Sequence, residues 1–139
     1  MAGNILVPVD GSLNSDRAVR FAIDLLKSGG TLHLLNAQPR LSGATRTFVG
    51  KADIDAFHRE EGEKALASAV RLGADAGVPV EKHISVGQPG ELTAEFAQRA
   101  GAKLIVMGTR GHTGLAGMLL GSVAQDVIAR ADVPVCLVK

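Results

Sequence analysis

The 139 residues include neither tryptophan nor tyrosine, and four phenylalanines are all the aromatic side chains there are. The stacking platform on which single-stranded nucleic acid lies is therefore missing. A formal charge of +1, from 15 basic against 14 acidic side chains, leaves no electrostatic footprint for a phosphate backbone. Nucleic acid is not an expected partner. Cysteine occurs once, as Cys136 within an apolar run, so no disulfide framework can form and the thiol reads as a small packed side chain. No stretch approaches the roughly 20 apolar residues of a membrane span. The first residues, MAGNILVPVDGS, lack the basic region and long apolar core of a signal peptide. A cytoplasmic chain without a membrane partner is expected. Two phosphate signatures are missing as well: GxxxxGK[ST], and a GxGxxG opening a helix after the first strand. His58 with Glu60, Glu61 and Glu63 makes no HExxH pattern, so that cluster reads as solvated and no metal site is expected.

What is present fits one globular domain over residues 1–139, with 46% apolar and 21% charged residues. Asn4 to Val9 is apolar on both faces, as a parallel strand covered on both sides should be, and ends at Asp10-Gly11-Ser12. Ser12 suits a helix cap. Ala18, Phe21, Ala22, Leu25 and Leu26 then recur at helical spacing until Ser28-Gly29-Gly30. Thr31 to Asn36 resumes as a strand, in which His33 reads as structural or surface-facing rather than as a ligand. From Ala37 to Gly50 no steady period appears. That stretch, with Arg40 and Arg46, predicts a long mobile loop, either a solvated connection or a lid or phosphate clamp.

Lys51 to about Ala76 predicts a helix with Ile54, Phe57, Ala65, Ala69, Leu72 and Ala76 inward and a Glu60–Lys64 pair. Val80 to Ser85 alternates like an edge strand. A helix with Leu92, Phe96, Ala97 and Ala100 inward follows, stopped by Gly101, and then the apolar strand Lys103 to Met107. Val123, Val127, Ile128 and Ala131 mark a last inward stripe, and Val133 to Val138 closes the chain. Strict alternation of strand and helix implies a parallel five-stranded α/β sheet, helices on both faces, with right-handed crossovers. The last strand is apolar yet carries Pro134, which suits an edge. A homodimer formed by antiparallel pairing of that strand in two copies is expected.

The stretch from Gly108 to Ser122, GTRGHTGLAGMLLGS, joins the strand ending at Met107 to the last helix. A loop at a strand's carboxyl end that leads into a helix presents unpaired amides, and glycines let a phosphate approach them. Gly108, Gly111, Gly121 and Ser122 give the spacing G-x-x-G-x9-G-[ST]. Arg110 is expected to contact an anion there, whereas His112 either does so or faces water. Taken singly, Asp10 could be an ordinary turn residue and Gly111 loop punctuation; together they form a constellation.

With ILVPVDGS at the first strand, VGQPGELTAEFAQRAGAKLIVMGTRGHTG in the middle and LLGSVAQDVIARADVPVCLV at the end, nearly the whole chain resembles the universal stress protein family. It is similar to the branch that carries an ATP-binding motif. The resemblance implies a doubly wound open sheet of order 3-2-1-4-5, adenine nucleotide alpha hydrolase-like. It implies adenosine against Pro8, Val9 and Asp10, with Ala37 and Met107 lining the pocket. Ribose and phosphates would lie on Gly108, Arg110, Gly111, Gly121, Ser122 and Val123. ATP with Mg²⁺, a dimeric stress regulator or sensor and an unidentified protein partner complete that expectation. Two alternatives stand beside it: a slow ATPase or autophosphorylating protein, and a nucleotide-free interaction scaffold. No residue stands out as one that would orient an attacking water, which weighs against catalysis.

Overall fold

Strands β1 (Asn4–Pro8), β2 (Leu32–Gln38), β3 (Val80–Val86), β4 (Ala102–Gly108) and β5 (Val135–Val138) form one parallel sheet in the order β3-β2-β1-β4-β5. The structure is a computed structural model that describes residues 3–109 and 120–139. Helices α1 (Leu13–Leu25), α2 (Gly43–Phe48), α3 (Lys51–Asp75), α4 (Pro89–Arg99) and α5 (Ser122–Arg130) connect the strands, with a single 3₁₀ turn (Leu26–Ser28) after α1. Side chains alternate across a strand, so β1 divides its apolar run between two cores. Ile5 and Val7 join α1 and α3 on one face; Leu6 meets Leu35, Ile105 and Met107 under α4 and α5 on the other.

Ser12 caps α1 as its position predicts, its Oγ accepting the Ser15 amide at 3.2 Å. The inward stripe is rotated from the expected one. Ala18, Val19, Ala22, Ile23 and Leu26 are buried, whereas Phe21 and Leu25 are 42% and 37% exposed. Most positions from Ala18 to Leu25 are apolar, and which stripe faces the sheet is decided by the strands beneath.

Residues 37–50 do not form one long loop. Ala37 and Gln38 finish β2, held by the Gly87 amide on the Gln38 carbonyl, and Ser42 caps the short α2. No residue of α2 is buried, so its sequence carries no apolar period. In α3 the buried positions are His58, Gly62, Leu66, Ala69 and Gly73, while Phe57 is 44% exposed. Two of these are glycines because the helix runs close over β3: a Cβ on Gly62 would meet Ile84 at 2.6 Å, and one on Gly73 would meet Val80. Lys64 pairs with Glu61 at 3.2 Å rather than with Glu60, and Glu63 reaches across to Lys82 at 2.7 Å.

Gly101, with φ of +61°, ends α4 as expected, and β3 lies at one edge of the sheet. The other edge is β5, which begins two residues later than its apolar run. Pro134 precedes it and accepts the Ile105 amide through its carbonyl at 3.0 Å, the one ladder role open to a residue without an N–H. In α5, Ala124 and Val127 are buried, and Val123 and Ile128 turn outward.

Candidate functional site

β1 lies between β2 and β4, and the chain leaves its carboxyl end for α1 on one face while β4 leads towards α5 on the other. Connections diverging in this way leave a crevice at the carboxyl edge of the sheet. A cavity of about 510 Å³ occupies it, within the roughly 300–1,000 Å³ usual for small-molecule sites. Pro8, Val9, Asp10, Ala37, Met107, Gly108, Gly121, Ser122 and Val123 all line it, although they come from three strands, two connections and the start of α5. Arg110 and Gly111 lie outside the described residues, as do His112 and Thr113. The flanks of that stretch are tied together, the Gly121 amide donating to the Thr109 carbonyl at 2.6 Å. Sequence spacing thus becomes spatial proximity of Gly108 and Gly121.

The floor is apolar: Val9, Leu35 and Met107 are buried side chains that end here. The rim is polar and asymmetric. Three helices begin at it: α1, whose first turn is satisfied by the Ser12 side chain; α4, which opens on Pro89 and so has no N–H to offer at its first position; and α5. At α5 the N-cap is Gly121, with no side-chain cap, so the amides of Ser122, Val123 and Ala124 lack an intrahelical acceptor. All three residues line the cavity. A helix start carries about half a positive charge, and that of α5 presents successive N–H groups beside it, an arrangement that favours an anion. Asp10 is the single ionisable side chain among the described lining residues, and its Oδ1 accepts the Ser12 amide at 2.9 Å. It is a turn residue and a cavity residue at once, held in orientation by the turn.

Several contributors carried no sequence signal. Thr93 on α4 is buried and donates to the Pro89 carbonyl at 2.6 Å; both residues line the cavity, as do Ser15, Leu35 and Pro39. Behind the β1 end runs a buried polar chain. Asn36 Nδ2 donates to the Val9 carbonyl at 2.8 Å, Gln38 Nε2 donates to Asn36 Oδ1 at 2.6 Å, and Gln38 Oε1 lies 3.5 Å from His58 Nδ1. His58 is therefore buried and not solvated, because its partner stands twenty residues earlier on β2. The chain fixes the backbone of Val9, and with it the wall of the cavity.

An apolar floor with a carboxylate, hydroxyls and helix-start amides at its rim suits a ligand with a flat apolar part and an anionic tail. Comparison with known proteins bears on which ligand. Residues 1–139 match the model of the Universal stress protein family. The chain is 35% identical to universal stress protein MJ0531 of Methanocaldococcus jannaschii, over 97% of this chain and 81% of that protein. Among solved structures it is similar to the Methanocaldococcus jannaschii protein MJ0577, with a TM-score of 0.87, 28% identity and coverage of 100% and 96% of the two chains. It is also similar to the universal stress protein from Archaeoglobus fulgidus in complex with dAMP (TM-score 0.73, 29% identity, coverage 98% and 97%). A universal stress protein in complex with cAMP is similar too, at a TM-score of 0.71 and 30% identity, covering 99% and 97%.

Proposed function

Because the chain belongs to the universal stress protein family, we infer that its cavity holds an adenine nucleotide and that the protein acts as a nucleotide-dependent stress regulator or sensor. The observation that carries this reading is the uncapped start of α5 facing an apolar cleft at the carboxyl edge of the sheet. The base lies against Pro8, Val9, Ala37 and Met107; the ribose meets Asp10; the phosphates sit on Gly108, Gly121, Ser122 and Val123, with Arg110 and Gly111 completing the motif. The solved relatives holding dAMP and cAMP support an adenine ligand. ATP is the proposed ligand here. Mg²⁺ would neutralise part of its charge, and the Asp10 carboxylate with the hydroxyls of Ser12 and Ser122 offers the oxygen donors a hard cation takes.

Ser122 is the first residue of α5, a position where proline is tolerated, and Gly121 before it already has φ −69° and ψ 161°, as a residue preceding proline requires. Ser122→Pro therefore removes one amide donor and leaves the helix in place. Loss of a hydrogen bond to a charged group predicts about ten- to hundredfold weaker ATP binding with adenosine affinity unchanged. Ser122→Ala, measured beside it, isolates the hydroxyl. Equal weakening of ATP and adenosine would place the phosphates elsewhere.

The active form in this reading is a homodimer joined through the edge strand, residues 133–138. β5 ends the sheet, and Leu137 on it is 36% exposed. A lysine at an edge opposes strand pairing. Light scattering on Leu137→Lys is expected to give the monomer mass where the unaltered chain gives twice that; a dimer that survives the substitution contradicts pairing through this strand.

A further inference from the structure

His33 and Glu81 face each other across β2 and β3, and His83 follows Glu81 by two residues, so all three side chains stand on the same face of the sheet. His33 Nδ1 is 3.0 Å from His83 Nε2 and 3.8 Å from Glu81 Oε2, and one donor atom from each residue lies within 4.8 Å of the others. We propose that His33, Glu81 and His83 form a binding site for a divalent transition-metal ion, Zn²⁺ above all, separate from the nucleotide cavity.

Two imidazole nitrogens on a tetrahedral zinc ion, each about 2.0–2.1 Å from it, lie about 3.3 Å apart, close to the 3.0 Å here. Two histidines and one carboxylate with a further position open to water form a donor set that zinc takes. Magnesium and calcium prefer oxygen ligands and are excluded by the same donors. The surroundings hold the nitrogens in place. His33 has 7% of its side chain exposed, and His83 lies against Phe96 of α4, ring centroids 5.3 Å apart, with the Arg99 guanidinium 5.2 Å from the centre of the Phe96 ring. Arg99 itself is paired with Glu95, and Lys82, between the two ligands on β3, is paired with Glu63. Glu81 is 63% exposed and stands on the solvent side of the site.

Without metal, the two imidazole planes lie 6° apart and the facing nitrogens share one proton in an N–H···N bond. Whichever ring carries the shared proton moves it to its other nitrogen when the ion enters. Two neutral rings thus become two ligands with no net proton release, and the rings turn until both lone pairs converge. The hydrogen-bonded pair is the resting state that the ion replaces.

The test uses the full chain, freed of metal by a chelator and of nucleotide, so its outcome does not depend on the nucleotide reading. Titration with Co²⁺ is expected to give a visible d–d band saturating at one ion per chain, which Zn²⁺ then abolishes by displacement. In long-range ¹H–¹⁵N spectra of the unaltered chain, Zn²⁺ is expected to shift the imidazole nitrogens of His33 and His83 and to leave the other two histidines, His58 and His112, unmoved. Glu81→Gln and His83→Gln are expected to lose the saturable band while keeping the far-ultraviolet circular dichroism of the parent. No band, imidazole shifts confined to His58 and His112, or binding that survives both substitutions would overturn the proposal. The spectra of the unaltered chain decide the matter even where a variant fails to fold.

Discussion

Replacing Ala37 by tryptophan is expected to abolish adenine-nucleotide binding while the sheet stays folded. Ala37 is the second-to-last residue of β2, half-buried, on the face that carries Leu35 and the cavity floor. An indole built there enters the cavity where the base is proposed to lie, and it fills space instead of displacing packed core. A loss of at least about a hundredfold in affinity, about 2.7 kcal/mol, is expected for ATP and adenosine alike. That equal loss distinguishes a blocked base pocket from the phosphate-selective loss expected of Ser122→Pro. The chain has no other tryptophan, so indole fluorescence reports on the variant's own fold. Unchanged affinity in a folded variant would remove the base from this cavity.

The largest effect on stability is expected at Gly30, where the chain turns from the 3₁₀ segment into β2. Gly30 has φ of +122°, a conformation side chains rarely adopt, and a Cβ built on it would fall on the carbonyl oxygen of Gly3 and within 2.8 Å of Leu26 Cδ2. The obstacle is backbone, which no rotamer change relieves. Gly30→Ala is expected to cost about 3 kcal/mol or more, combining backbone strain with overpacking. Gly77 is the control. Its φ is +72° and a Cβ added there would meet no atom within 4 Å, so Gly77→Ala carries the conformational cost alone, about 1–2 kcal/mol. Urea unfolding of both variants measures the difference, and equal losses would show that the contact with Gly3 does not constrain the fold.

The alternation of strands and helices was legible because it rests on local signals, whereas the strand order and most of the cavity wall were implied by the family resemblance. Apolar runs bounded by glycine, a serine before a helix and a glycine spacing all survive as one-dimensional patterns. Ala37 had no motif behind it, only its place at a strand's end, yet it stands on the wall beside Met107 and Val9. What stayed illegible depends on partners distant in sequence. His58 sits among glutamates and reads as solvated until Gln38 is brought against it. Gly62 and Gly73 look like weak points of a long helix, whereas they are where α3 comes down on Ile84 and Val80. Phe21 and Val123 belong to apolar stripes that compete with the buried ones, and a single helix does not say which stripe the sheet will cover. The pairing of His33 with Glu81 and His83 follows from strand register, which parallel strands separated by two helices do not announce.

Calorimetric titration of nucleotide-free protein with Mg²⁺-ATP tests the assignment of the cavity most directly. Saturation near one nucleotide per chain, lost in Ala37→Trp, is the result expected of an adenine-nucleotide site at the carboxyl edge of the sheet. No heat at two temperatures, together with no displacement of a fluorescent adenine nucleotide, would contradict it and leave the uncapped α5 to another anion.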